Sequence, residues 1–91
     1  MPKLLVTAHY EKKLALFKTA HPDLINAYIK TISLLAKNPG HPSLRLHKLK
    51  GGLADFYSVS INMKYRIILD FLVQGDQILL IDIGGHGEIY R

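Results

Sequence analysis

The 91-residue chain contains no cysteine, which excludes disulfide bridges and zinc sites built on thiolate ligands. Its five histidines form neither an HExxH motif nor an i, i+4 pair, so the sequence predicts no bound metal and no cofactor. The apolar segment at residues 1–6 is too short for a membrane span or a signal peptide. We therefore expect a cytoplasmic protein without a membrane partner.

Acidic residues are also scarce, since 7 Asp and Glu stand against 12 Lys and Arg and give a formal net charge of +5. An excess of this sign favours polyanionic partners such as nucleic acid. The basic residues gather in the second half of the chain, at Arg45, Lys48, Lys50, Lys64 and Arg66. The length suits a single domain over residues 1–91 with one modest core.

Residues 56–83 alternate apolar and polar side chains in a way that predicts three consecutive antiparallel strands. A three-residue loop at residues 62–64 keeps the apolar side chains on one face, because a shift of one residue would turn them to solvent. That loop pairs Ile61 with Tyr65, Val59 with Ile67 and Tyr57 with Leu69. The turn signal at residues 74–76 pairs, by the same argument, Phe71 with Leu79, Leu69 with Ile81 and Ile67 with Ile83.

The opposite face of this sheet carries the polar side chains. The same register places Ser60, Arg66 and Gly84 side by side, with Asp82 next to Ile68. The glycine-rich tail that holds His86 and Tyr90 then begins beside the arginine. No Walker lysine follows these glycines and no helix opens there, so the tail is not a phosphate-binding loop. We expect a fixed guanidinium close to an imidazole and a phenol.

The first half of the chain predicts a short strand at residues 3–7 and two helices, at residues 8–19 and 22–38, divided by Pro22. Thr7 is positioned to cap the first helix. The fold class is therefore α+β in the order β-α-α-β-β-β. In it a helical hairpin packs on one face of a small, mainly antiparallel four-stranded sheet. Lys12 and Lys13 are interpreted as a solvated helix face, and His9, His21 and His41 are given no chemical role.

Three short motifs occur in a fixed order, namely LHKLKG at residues 46–51, MKYRIIL at residues 63–69 and DIGGHGEIYR at residues 82–91. With the order of the elements, they resemble the RelE/ParE superfamily of bacterial type II toxin–antitoxin toxins over nearly the whole chain. The resemblance implies a small antiparallel sheet on a helical hairpin. RelE-like members, including the YafQ branch, are messenger-RNA endonucleases that act mostly in the ribosomal A site, whereas ParE-like members poison DNA gyrase.

The resemblance also implies roles for individual residues. Arg66 matches the arginine of the YRIIL strand, His47 and His86 match histidines of YafQ-like members, and Tyr90 matches the C-terminal aromatic. The implied chemistry is Arg66 on the phosphate, His86 as general acid, His47 as general base and Tyr90 stacked on a base. Cations that would grip the RNA are Arg45, Lys48, Lys50 and Lys64. Lys64 and Ser60 stand where YafQ-like enzymes have an acidic residue and a second loop histidine.

The favoured hypothesis is a metal-independent endoribonuclease toxin that cleaves messenger RNA on the ribosome through attack by the ribose 2′-hydroxyl. Its partners would be a cognate antitoxin, messenger RNA and the ribosome; the free toxin would be a monomer and the antitoxin complex a hetero-oligomer. Two alternatives are a gyrase-inhibiting toxin and an inactive relative that only binds an antitoxin. At the level of residues, Arg66 could instead be paired with Asp82 or Asp70, His47 and His86 could be ordinary loop residues, and Tyr90 could only pin the terminus.

Overall fold

The computed structural model of the protein describes residues 1–51 and 56–89. Within them, five strands form one sheet in the order β1-β5-β4-β3-β2, with β1 parallel to β5 and the other neighbours antiparallel. The elements are β1 (Lys3–Val6), α1 (Ala8–Ala20), α2 (Ile25–Lys37), β2 (His47–Lys48), β3 (Tyr57–Ser60), β4 (Tyr65–Leu72), β5 (Gln77–Gly85) and α3 (His86–Ile89). This confirms the α+β class and the order of its main elements. The count of four strands was one short, because the basic loop contributes the two-residue edge strand β2.

The predicted register between β3 and β4 is confirmed. Val59 pairs with Ile67 and Tyr57 with Leu69, while the amide of Ile61 donates to the carbonyl of Tyr65 at 2.9 Å. This row is apolar because its side chains face the helices, and Val59, Ile67 and Leu69 are buried. A slip of one residue would expose the whole row, which explains why alternation alone determined the pairing.

The predicted register between β4 and β5 is correct for one half of the ladder and wrong for the other. Ile67 pairs with Ile83 as expected, but Leu69 pairs with Leu80 and Phe71 with Ile78. The register shifts by one residue between Ile68 and Leu69, so Ile81 is the extra residue of a β-bulge. Every position from Ile78 to Ile81 is apolar, and alternation therefore gave no signal for the bulge.

Thr7 joins the start of α1 to this bulge. Its hydroxyl accepts a hydrogen bond from the amide of Tyr10 at 3.0 Å, the N-cap interaction that the sequence predicted. The same oxygen lies 3.1 Å from the carbonyl oxygen of Leu80 and 3.4 Å from that of Ile81, where β5 runs on beyond β1. One hydroxyl thus serves both an unpaired helix amide and the carbonyls of the bulge.

The two long helices pack their apolar sides on the sheet, where the main core lies. The proline signal is realised as a 3₁₀ turn at Pro22–Leu24, so α2 begins at Ile25, three residues later than predicted. The hydroxyls of Tyr10 and Tyr28 share a hydrogen bond between α1 and α2. Burial raises the pKa of both phenols, so the pair stays neutral at physiological pH. None of the described helices is long and apolar enough to cross a membrane.

A second, smaller apolar cluster lies on the face of the sheet that points away from the helices. Its buried members are Leu49, Ile68 and Ile89, with Phe56 and Ile81 packed against them. Ile89 belongs to α3, so the short last helix folds back over the polar face of the sheet. Because the bulge turns Ile81 to this side, it also supplies part of the surface on which α3 rests.

Replacing Thr7 with Ala is expected to destabilise the fold by about 1–2 kcal/mol, because the helix cap and the hydrogen bonds to the bulge are lost together. Thr7→Ser keeps the hydroxyl and should retain most of that stability. Urea unfolding followed by circular dichroism measures both variants, with a lowered midpoint and an unchanged m-value expected for Thr7→Ala. Equal midpoints for the two variants would contradict this role of the hydroxyl.

Candidate functional site

Arg66 is the second residue of β4 and projects from the face of the sheet that is opposite the helices. It pairs with Ser60 on one side and with Gly84 on the other, as the sequence predicted. Its Nη1 atom is buried, and no described residue accepts a hydrogen bond from it. Desolvating a guanidinium nitrogen without an acceptor is costly, and native structures rarely tolerate it unless a ligand completes the site. The arrangement therefore suits an anion.

The carboxylates that could have neutralised Arg66 interact elsewhere. Asp82 has its Oδ1 atom 3.3 Å from His9 Nε2, and the same oxygen accepts a hydrogen bond from the amide of Ile83 at 2.8 Å. Asp70 forms no ion pair with a described residue, Arg66 included. Within the part of the chain that the structure describes, the guanidinium thus keeps its charge uncompensated.

His86 begins α3 directly after the last residue of β5, so the expectation that no helix opens in the glycine-rich tail was wrong. Its amide donates to the carbonyl of Lys64 at 3.1 Å, which holds it at the end of β4. Two residues earlier, Gly84 leaves room for the returning chain: a Cβ atom there would lie 3.0 Å from Glu88 Oε2 and 3.4 Å from Ile89 Cγ2. A glycine beside Arg66 is therefore what lets α3 fold back over the sheet and carry its histidine.

An open cleft of about 490 Å³ lies at this end of the sheet. Its lining includes Lys64, Tyr65, His86 and Glu88. Arg66 is the next residue of β4 after Tyr65, and its partner Gly84 precedes His86 by two residues. The structure therefore brings Arg66, Lys64 and His86 to one end of the sheet, although Arg66 itself does not line the cleft.

Arg45 extends this basic surface along the turn between β3 and β4. It adopts a left-handed backbone conformation with φ of 50° after the 3₁₀ turn at Pro42–Leu44. Its Nη1 atom lies 4.0 Å from Met63 Sδ, and Met63 in turn lines the cleft with Lys64. We call the surface formed by Arg45, Lys64 and His86, bridged by Met63, the basic rim.

His47 lies on the edge strand, on the same face as Arg66 but two strands away. It pairs with Ser58, and its Nδ1 atom is 3.1 Å from the carbonyl oxygen of Arg45. A strand spacing of roughly 4.8 Å and a rise of about 3.3 Å per residue put the Cα atoms of His47 and Arg66 about 12 Å apart. Ser58 and Ser60, which lie between them on β3, are both buried and therefore do not form an open surface that joins the two side chains.

The two lysines of the basic loop before β3, Lys48 and Lys50, are not gathered with Arg66. Lys48 pairs with Tyr57, so its register position belongs to the face that carries the helices. Lys50 is exposed beyond the end of β2, next to the buried Leu49. Tyr90 lies outside the described residues.

No pattern in the sequence predicted the contact between α1 and α3. Lys13 Nζ lies 3.5 Å from Glu88 Oε2, although the two residues are far apart along the chain. Lys13 was interpreted as part of a solvated face, and Glu88 received no role. No motif contains both residues, so only the folded chain reveals that Lys13 stands beside this carboxylate. Within residues 1–51 and 56–89, no three His, Asp or Glu side chains are arranged to hold a metal ion.

No protein-family model and no curated protein matches the sequence. Solved structures match it over nearly their whole length. YafQ from Escherichia coli has a TM-score of 0.83 at 14% identity, with all of both chains covered. A metal-bound toxin from Helicobacter pylori has a TM-score of 0.79 at 24% identity, with 98% of this chain and 99% of that chain covered.

A YoeB/ParE toxin from Agrobacterium tumefaciens has a TM-score of 0.76 at 18% identity, with 92% of this chain and 98% of that chain covered. YafQ also matches in its complex with DinJ, a toxin–antitoxin pair from E. coli. By name these neighbours are toxins: one is a YoeB/ParE toxin, and YafQ has been solved in a toxin–antitoxin complex. The chain therefore has the fold that its three motifs led us to expect.

Inorganic phosphate is expected to stabilise the protein through Arg66. At ten times its Kd, phosphate should add about 1.4 kcal/mol, or roughly 5 to 10 °C in Tm for a domain of this size. Arg66→Met should lose this response without losing stability, because it removes a buried nitrogen that has no acceptor among the described residues. Lys37→Met, in the last turn of α2, is the control that should keep the response. Thermal unfolding with and without phosphate decides between these outcomes, and a full response in Arg66→Met would contradict the assignment.

Proposed function

We propose that the protein is the toxin of a toxin–antitoxin system and that it cleaves messenger RNA without a metal ion. The observation that carries this proposal is the buried Nη1 atom of Arg66, which has no acceptor among the described residues and stands at the end of the sheet where His86 and Lys64 line a cleft. A planar, permanently charged fork is suited to two oxygens of one phosphate. The similarity in fold to YafQ, which has been solved in a toxin–antitoxin complex, supports the assignment to a toxin.

The reaction is a transfer of the phosphoryl group within the RNA strand. The ribose 2′-oxygen forms a bond to phosphorus, the bond from phosphorus to the 5′-oxygen breaks, and the products are a 2′,3′-cyclic phosphate and a 5′-hydroxyl. One base takes the proton of the 2′-hydroxyl and one acid returns a proton to the 5′-oxygen. Arg66 stabilises the charge that develops on the phosphate between these two transfers.

We assign the acid to His86 and the base to His47, because imidazole changes protonation near neutral pH. His86 follows the strand that pairs with β4, and His47 shares the Arg66 face from the edge strand. RNA that meets both would pass over the small apolar cluster of Leu49, Ile68 and Ile89, since Ser58 and Ser60 are themselves buried. Tyr90 is proposed to stack on a base, as aromatic side chains do for single-stranded RNA.

The cations around the candidate site would hold the RNA backbone. Arg45 and Lys64 belong to the basic rim, and Lys48 and Lys50 would bind phosphates farther along the strand, past the edge of the sheet. We further propose a cognate antitoxin whose acidic segment covers the basic rim, since YafQ has been solved with DinJ. The free toxin would be a monomer, and its inactive form a hetero-oligomer with that antitoxin. The messenger would be cut on the ribosome.

Arg66→Ala is expected to slow RNA cleavage by about 100- to 1,000-fold, because a preorganised cation is lost from the transition state. His86→Gln and His47→Gln should each slow it as well, whereas Lys37→Ala should cleave like the wild type. The measurement is the appearance of cut messenger, with a 5′-hydroxyl end, in a purified translation reaction. Addition of EDTA after ribosomes are assembled, at a concentration that leaves their magnesium in excess, should not change the relative rates of the variants.

Three outcomes would reject the nuclease. Intact messenger together with inhibited DNA supercoiling would identify a gyrase-inhibiting toxin, the function suggested by a ParE-type name among the structural neighbours. Loss of toxicity in Lys37→Ala equal to that in Arg66→Ala would remove the special role of the buried guanidinium. Antitoxin binding with neither activity would identify an inactive relative.

A further inference from the structure

A second, smaller cavity of about 130 Å³ lies between α1 and the end of the sheet. α1 supplies Lys13, Phe17 and Ala20, and the sheet and α3 supply Tyr65 and Glu88. His21, just after α1, completes one wall. Its ring centroid lies 4.5 Å from that of Tyr65 and 5.2 Å from that of Phe17. The cavity is therefore bounded on one side by three aromatic rings that pack against one another in tilted and edge-on geometries.

The size and chemistry of this cavity fit one flat, six-membered ring. A cavity of roughly 150 Å³ lined by apolar side chains accommodates benzene, so about 130 Å³ admits a single ring and not a fused pair. The rings of Tyr65 and His21 offer π faces for stacking. At the mouth, Lys13 Nζ and Glu88 Oε2, which lie 3.5 Å apart, place a hydrogen-bond donor next to an acceptor. The Watson–Crick edge of a pyrimidine presents the complementary pair.

The cavity is adjacent to the cleft that holds His86 and Lys64, because Tyr65 and Glu88 line both. We propose that it binds the pyrimidine base of a nucleotide whose phosphate lies in that cleft, so that Lys13 and Glu88 contribute to sequence preference. This inference rests on the proposed ribonuclease function. A nucleotide strand fits better than a peptide because the two openings are flanked by Lys13, Lys64 and His86, which suit a sugar–phosphate backbone.

The decisive variant is Ala20→Leu, which adds three carbons to the wall of the cavity without touching Arg66, His86 or His47. Ala15→Leu is the matched control, since Ala15 is an exposed residue of α1 that does not line the cavity. The ligand is a fluorescent hexamer of 2′-O-methyl uridines, whose blocked 2′-oxygen prevents cleavage. Loss of one stacked base should weaken its binding about tenfold in Ala20→Leu and leave Ala15→Leu unchanged.

Two further measurements guard against an added leucine that points to solvent. In the first, each hexamer of a series lacks the base at a different position. The difference in affinity between Ala20→Leu and Ala15→Leu should disappear for one hexamer of the series, the one that lacks the base bound in the cavity. On titration of the wild type with the intact hexamer, the amide signals of Ala20, His21 and Glu88 should shift in ¹⁵N correlation spectra. A purine hexamer that binds as tightly and shifts the same amides would overturn the choice of pyrimidine.

The inference fails if Ala20→Leu and Ala15→Leu bind the uridine hexamer equally and those amides do not shift. It also fails if Ala20→Leu weakens only antitoxin binding, which would make the occupant a protein side chain. Either result is compatible with a loss of cleavage in Arg66→Ala, so the proposed ribonuclease function does not depend on this subsite. If the wild type does not cleave messenger while the hexamer still occupies the cavity, the proposed function fails and the binding site does not.

Discussion

The hydrogen bonds that pair β4 with both β3 and β5 are the constraint on which the rest of this molecule depends. They hold Arg66 between Ser60 and Gly84, with apolar neighbours Ile67 and Leu69 turned into the core. A side chain anchored on a central strand has far less freedom than one on a loop, so its position is set by the same forces that stabilise the fold. The candidate site thus gains its rigidity from the core and not from its own contacts.

The same anchoring carries a cost. Arg66 has a buried nitrogen without an acceptor in the described chain, and the nearby carboxylate of Asp82 is directed to His9 instead. A protein selected for stability alone would place a hydrophobic residue or a nearby carboxylate here. Sites that bind a ligand commonly accept such a penalty, because the ligand then recovers it on binding.

The sequence determined most of the sheet and part of the site. Strict alternation between Tyr57 and Ile61 fixed the β3–β4 register, and with it the neighbours of Arg66. Residues 78–81 are all apolar, so the sequence shows no alternation there and does not distinguish a bulge from an unbroken ladder. The two-residue strand β2 was too short to recognise, and it decides which of His47 and Lys48 shares a face with Arg66.

Contacts between distant segments were beyond sequence reasoning altogether. Lys13 and Glu88 come from opposite ends of the chain, and neither stands in a motif that would reveal the other. The cavity that they share depends on the C-terminal part of α1 reaching the end of β5, which no pattern of residues states. The motifs predicted candidate residues on the Arg66 strand because each motif is local. The surface beside that strand is formed by packing between distant segments, which no motif describes.

The bulge at Ile81 interrupts the alternation of side chains between the two faces of the sheet, so the two halves of β5 alternate independently. Before it, Ile78 and Leu80 face the helices; after it, Ile83 does, and Gly84 therefore points to the side of Arg66. Substitutions that repack the first half of the strand against α1 and β1 leave the orientation of the second half untouched. A fold built this way can vary its interior while the turn that carries the histidine keeps its orientation.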